Sequence, residues 1–415
     1  MIKKMRPLIL MCSIAAAFSA QHVHAENIKI AQIDTLTGPF APIGQNQLRS
    51  FEMITEIANK QKWAGPNNTI EVVGFDGKGS PQESLTQLKL AIDQGYRYIA
   101  QGNSSGVALA LLDAVNKHND RNPGKEVVFL NYAAIDPALT NEKCSFWHFR
   151  FDANGDMKME ALTSYMAKDA SIKKVYIIGQ NYSHGHQLTK AAKALLKRKR
   201  PEIEIVGDDL HPIGTVKDFS PYIAKIKASG ADTIITGNWG ADLSLLIKAA
   251  KDAGLTAKFY TYYAGTTGVP TAMGATGAGS VKQIAYWIPN NETFSGKELV
   301  DAFKKKYNDD FYVVSLHSLI QMFAKAVKDT NSSDPVKVAF AMEGMKMKAV
   351  HGDVEMRASD HQLQQPLYIS TWSKVDGNKI KYDQENTGYG WSNDQKIDSY
   401  VATQPTSCQM KRPAR

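Results

Sequence analysis

The sequence predicts an α/β protein of two Rossmann-like, parallel-sheet domains joined by three crossovers. A strand–helix alternation runs from residue 28 to 130 and restarts after the aromatic stretch Phe146-Trp147-His148-Phe149. At 415 residues the chain exceeds what one hydrophobic core usually supports. Its C-terminal third holds too few elements to fold alone, but enough to complete both earlier halves.

The first half opens with a strand at Ile28–Asp34 and the turn Thr35-Leu36-Thr37-Gly38-Pro39. Leu48, Phe51, Ile54 and Ile57 then mark the buried stripe of a helix. Ile70–Phe75 is a second strand, followed by a helix carrying Leu85, Leu88 and Ile92. A strand at Tyr98–Ala100, a helix at Val107–Val115 and a strand at Glu126–Leu130 complete the run. Alternation of this kind implies right-handed βαβ units and a parallel sheet. The second half repeats the plan. Strands fall at 175–178, 203–206, 233–236 and 259–261, with helices after Ser183, after Asp218 and over Asp242–Ala253.

Beyond residue 280 the pattern gives a strand at Val281–Trp287 and helices near 297–307, 313–327 and 335–343, then hairpin-like strands from His351. The chain is therefore expected to cross between domains near 145–150, 275–282 and 355–365. This assigns 26–147 with 280–360 to a first lobe, 148–279 with 361–400 to a second, and 401–415 to a tail.

The N-terminus reads as an export signal: Lys3, Lys4 and Arg6, an apolar run from Leu8 to Phe18, then Val23-His24-Ala25. The run is about half the ~20 residues of a membrane-spanning helix. Cleavage after Ala25 is expected, leaving 390 residues from Glu26 with a net charge of +5. Met11 before Cys12 is too large for a lipidation motif, so a free periplasmic protein is expected. Cys144 and Cys408 survive maturation, and an even pair in an exported chain suggests a disulfide.

Enzyme chemistry finds no support. Gly274–Gly279 superficially resembles a nucleotide loop but follows no first strand and opens no long helix, so it reads as a crossing segment. His184 and His186, with His211 distant, make a poor metal set. The run Lys197–Arg200 suits the solvated last turns of a helix, and nucleic-acid binding is not expected. No cofactor is expected.

Ligands of open parallel sheets sit beyond the carboxyl ends of strands, where loops meet helix N-termini. Ser104 and Ser105 occupy such a loop, and their hydroxyls with the free N–H groups there suit a carboxylate. Either serine is equally suited to capping its helix, and the two roles are compatible.

Several stretches resemble the leucine/isoleucine/valine-type periplasmic binding proteins of ABC transporters. They are IKIAQIDTLTGPFAPIG from Ile28, Gly102–Gly106, Ala133–Thr140, Tyr182 before Ser183-His184-Gly185, Lys217–Ser220, and Ala249–Leu255. The similarity of plan covers nearly all of the mature chain. The resemblance implies a type I, Venus-flytrap fold that closes like a hinge on a small amino-acid-like ligand. It also implies an inner-membrane ABC permease as partner and a monomeric protein. It makes Ala133, Ala134 and Ile135 a second binding loop, with Ile135 where a hydroxyl residue is common. Tyr182 corresponds to a stacking aromatic, and Trp239 to another aromatic facing the cleft, although ordinary packing remains open for both. Ile43 replaces an aromatic.

The family places a carboxylate near Tyr262-Tyr263 for the ligand's ammonium, and this sequence has none between Lys258 and Met273. Asp136 in the binding loop is the nearby candidate. If no acid faces the cleft, an aromatic or keto acid becomes the alternative ligand, because an ammonium buried without a counter-charge is costly. A periplasmic sensor subunit is the alternative use of the same fold.

Overall fold

The structure, a computed structural model, describes residues 25–414. The predicted export segment, apart from Ala25, lies outside the described residues. The first sheet comprises β1 (Glu26–Asp34), β2 (Asn68–Asp76), β3 (Tyr98–Gln101), β4 (Val128–Asn131) and β5 (His148–Arg150). They lie in the order β2-β1-β3-β4-β5, every neighbour parallel. Helices α1 (Ala41–Lys60), α2 (Pro81–Asp93) and α3 (Ser105–Arg121) make the crossovers. On α1 the buried face is Ile43, Gln47, Ser50, Phe51, Ile54 and Ala58. Leu48 and Ile57 flank it half-buried, because a strict three-residue spacing drifts around a 3.6-residue helix.

The second sheet begins with β6 (Lys174–Gln180), β7 (Glu204–His211), β8 (Thr233–Thr236), β9 (Lys258–Thr261) and β10 (Val281–Ala285). These are parallel and are served by α4 (Gly155–Met166), α5 (Ser183–Lys199), α6 (Ser220–Ala228), α7 (Gly240–Asp252) and the short α8 (Val269–Met273). The chain then returns to the first lobe as α9 (Lys297–Tyr307), α10 (Ser315–Thr330) and α11 (Pro335–Met342). There Asn46 of α1 donates to the Asp310 carbonyl at 2.8 Å. A small antiparallel sheet of β11 (Lys346–Ala349), β12 (Gly352–Met356) and β13 (Leu363–Gln364) follows. Finally β14 (Leu367–Lys374), β15 (Tyr389–Trp391) and β16 (Gln395–Ile397) extend the second sheet antiparallel, and α12 (Ser399–Ala402) ends the regular structure.

The crossings fall later than the sequence pattern suggests. β5 ends in the first sheet at Arg150, so the first crossing occupies 151–154. β10 pairs with β9 and β14 inside the second sheet, so the second crossing follows Ala285 and the boundary placed at 280 moves with it. Gly274–Gly277 is linker-like in composition but forms a 3-10 turn that returns the chain to the same sheet. The third crossing runs from β13 into β14 at 365–366.

First and third crossings lie side by side around Arg150, which is fully buried. Its guanidinium donates to Gln362 Oε1 (2.7 Å) and to the Asp136 carbonyl (2.6 Å). Gln362 in turn donates to the Asp152 carbonyl at 2.7 Å, and Gln365 to the Phe151 carbonyl at 3.0 Å. The hinge is thus stitched by side-chain amides to crossing backbone that has no ladder partner. Burial lowers the Arg150 pKa to about 10, so it stays cationic at neutral pH.

Cys144 and Cys408 are bonded, with Cα atoms 5.6 Å apart. Thr406 also donates to the Thr140 carbonyl at 2.7 Å, so the tail docks on the first lobe. Among the described residues no helix is long and apolar enough to cross a membrane.

Candidate functional site

Between the lobes lies a cleft of about 940 Å³, its open mouth included. The first-lobe wall is the β3–α3 turn and the loop after β4. Gly102 admits only glycine there, because a Cβ would lie 2.2 Å from the Tyr132 ring. Asp34, at the end of β1, accepts from the N–H groups of Gly102 (2.9 Å) and Asn103 (3.2 Å) and from the Tyr132 hydroxyl. Burial pushes the Asp34 carboxyl up to about 6, and the Tyr132 hydroxyl and the backbone donors pull it back. Gln47 and Asn103 exchange amide hydrogen bonds at 3.0 and 2.7 Å. Held this way, Ser104 sits at φ 77°, a left-handed conformation that a non-glycine residue adopts rarely. Its Oγ caps α3 by accepting from Val107 N–H at 3.5 Å. Ser105 Oγ accepts from Asp136 N–H at 3.2 Å and so ties the two loops together. The first N–H groups of α3 lie at the cleft, where the helix dipole favours an anion.

The second-lobe wall is aromatic. Tyr182 and Trp239 precede α5 and α7, and Trp239 Nε1 donates to Tyr182 Oη at 2.9 Å. Tyr262 and Tyr263 follow β9, and Tyr286 and Trp287 follow β10. His184 Nε2 lies 3.2 Å from the Gly237 carbonyl, which assigns the proton to that nitrogen. Burial lowers its pKa to about 4, so the imidazole is neutral at neutral pH. Beneath the rings, Lys158 Nζ pairs with Asp152 Oδ2 at 2.8 Å, both side chains 2% exposed. The same ammonium lies 5.2 Å from the Tyr263 ring centre and 5.8 Å from that of Tyr286.

The lobes touch at several places, Phe40 and Glu385 among them. Phe40 of the first lobe lies 4.2 Å, ring centre to ring centre, from Trp239 of the second. It fits a notch that requires Gly240, where a Cβ would come within 2.8 Å of the Phe40 ring. Elsewhere Glu385 accepts from Thr271 N–H (2.7 Å) in the second lobe and from the Tyr312 hydroxyl (2.8 Å) in the first.

This arrangement of two parallel-sheet lobes over a common cleft recurs in known proteins. A sequence profile for periplasmic binding proteins matches residues 27–379. The chain belongs to the periplasmic binding protein family. The binding protein is 33% identical to the Leu/Ile/Val-binding protein homolog 4 of Brucella melitensis, over 97% of each chain. It superposes with a TM-score of 0.82 and 33% identity on a Brucella ovis leucine-, isoleucine-, valine-, threonine- and alanine-binding protein in its closed conformation, covering 94% of this chain and 100% of that one. It also shares its fold with an R. palustris ABC-transporter solute-binding protein in complex with 4-hydroxybenzoate (TM-score 0.76, 22% identity, 90% and 98% covered).

Of the binding protein's sequence-predicted site residues, Ser104, Ser105, Ala133, Ala134, Tyr182, Trp239 and Tyr263 line the cleft. Two do not. Ile135 is turned into the core at 1% exposure. Asp136 is 1% exposed and lies outside the cleft lining, its carboxylate capping the turn Pro137–Thr140 by accepting from Ala138 N–H at 2.9 Å. Ile43 lines the cleft and packs with Phe40 and Trp239. His184, His186 and His211 each bind their own neighbours, and the described residues contain no group of three or more metal-ligating side chains.

The pattern reading missed Asp152, Lys158 and Gln283. Lys158 stands in the first turn of α4, where a lysine ordinarily faces water. Gln283 offered a faint signal, being an amide in a strand otherwise placed for burial.

Proposed function

We propose that the chain is the exported solute-binding component of an ABC importer, closing its lobes on a small carboxylic acid. The observation that carries this is that the Ser104-Ser105 turn, suited to a carboxylate, faces the same cleft as the aromatic wall of Tyr182, Trp239 and Tyr263. Ligand contacts made by both lobes favour the closed state, because only closure satisfies both sets. Export by cleavage after Ala25, a periplasmic location, a monomeric state and an inner-membrane permease as partner belong to the same proposal. So does the absence of enzymatic activity, cofactor and nucleic-acid binding.

The names of the relatives point to branched-chain amino acids as the ligand class. One observation favours a second reading, an aromatic or keto acid without an amine. Among the described residues the only carboxylate lining the cleft is Asp152, and it is already paired with Lys158. An α-ammonium would find no uncommitted counter-charge in the cleft lining.

A thermal-shift screen of the chain from Glu26 tests the proposal. The panel is leucine, isoleucine, valine, their keto acids and simple benzoates. A ligand that binds only the folded state must raise the midpoint. Stabilisation by the amino acids supports the first reading, and stabilisation by amine-free acids alone supports the second. A midpoint unmoved by every acid counts against the proposal.

A further inference from the structure

The second-lobe wall contains hydrogen-bonding groups that the protein itself leaves unused. Gln283, on β10, is 5% exposed and lines the cleft. Among the described residues its side-chain amide has no hydrogen-bond partner, although it approaches Gly265 closely. The amide opens on the cleft, so its donor and acceptor are free for a partner from outside the chain. Lys158 adds to this. Its ammonium has three N–H donors, and among the described residues Asp152 Oδ2 is their one hydrogen-bond acceptor. The ring faces of Tyr263 and Tyr286 lie near the ammonium but supply no lone pair.

Resting on the reading of the cleft as an acid-binding site, we infer that Lys158 and Gln283 recognise a second, uncharged polar group on the ligand. The group is a hydroxyl, carbonyl or carboxamide, carried away from the carboxylate that the Ser104-Ser105 turn holds. Charge decides against a second carboxylate. Asp152 and Lys158 already neutralise one another, so another anion would be buried with no counter-charge. An uncharged acceptor satisfies Lys158 N–H, and the Gln283 amide both donates to it and accepts from it where it carries a proton. An acid ending in a methyl group leaves all these donors unpaired, a penalty that discriminates more sharply than shape does.

Three pairs of acids differing at the far end test this by calorimetry: 4-methylpentanoate and succinamate, leucine and asparagine, 4-methylbenzoate and 4-hydroxybenzoate. The polar member of at least one pair binds ten-fold or more tightly than its methyl partner. Gln283→Met reduces that preference to about two-fold and leaves the urea midpoint of the ligand-free protein unchanged or higher, since the amide makes no hydrogen bond within the described residues. Tighter binding of the methyl member in every binding pair overturns the inference and leaves the acid-binding reading intact. A preference that survives Gln283→Met overturns it too, as does a lowered midpoint of the ligand-free variant, which would mean that the amide serves the fold. Binding by none of the six acids overturns both the inference and the reading beneath it.

Discussion

The first-lobe wall of the cleft presents backbone and small side chains, whereas the second-lobe wall presents large rings and a buried ion pair. On the first side the ligand-facing turn is fixed from behind by Asp34, Tyr132, Gln47 and Asn103, none of which needs a ligand to be satisfied. On the second side Gln283 and Lys158 keep hydrogen-bonding capacity that the protein does not fill. The contrast separates two tasks. A preorganised turn of N–H donors suits the carboxylate common to many acids. Side chains with unpaired polar groups suit selection among acids, because a mismatch leaves them unsatisfied.

The contrast predicts that the second wall tolerates disruption of its charge least. Lys158→Met leaves the Asp152 carboxylate buried without its paired cation and costs about 3–5 kcal/mol of stability by urea denaturation. Replacing both members, Lys158→Met with Asp152→Leu, recovers most of that loss. A single variant as stable as wild type would mean that water reaches the pair, and the two walls would then differ less than described.

The first wall has a pH signature. Asp34 holds its proton in the folded state up to about pH 6, while the unfolded group releases it near 3.8. Its contribution to stability is therefore full below pH 4 and is lost as pH rises through about 6, a change of about 3 kcal/mol. Asp34→Asn removes that part of the slope, although it lowers stability throughout by weakening the turn. Equal slopes in wild type and variant between pH 4 and 7 would show Asp34 ionised over the whole range.

The same division governs what the sequence makes legible. Strand–helix alternation reveals both sheets because buried strands and amphipathic helices leave periodic traces. The first wall is legible too, since Gly102–Gly106 announces a turn between a strand and a helix. The crossings were displaced because composition does not distinguish a linker from a turn within one sheet, as Gly274–Gly277 shows. Lys158 and Gln283 were invisible for a different reason. Neither belongs to a motif, and only the folded chain brings α4 and β10 to the same cleft. Asp136 misled in the opposite direction, since a carboxylate beside a binding loop serves as readily to cap a turn.

The carboxylate grip of the first wall is the central claim, and calorimetric titration of Ser104→Ala with Ser105→Ala tests it most directly. The titrant is the acid that most raises the midpoint of the wild-type protein. Lost hydrogen bonds to a charged group are worth about 1.5–3 kcal/mol, which predicts binding weakened roughly ten- to hundred-fold in a protein that still folds. An unchanged dissociation constant would place the carboxylate elsewhere and contradict the account.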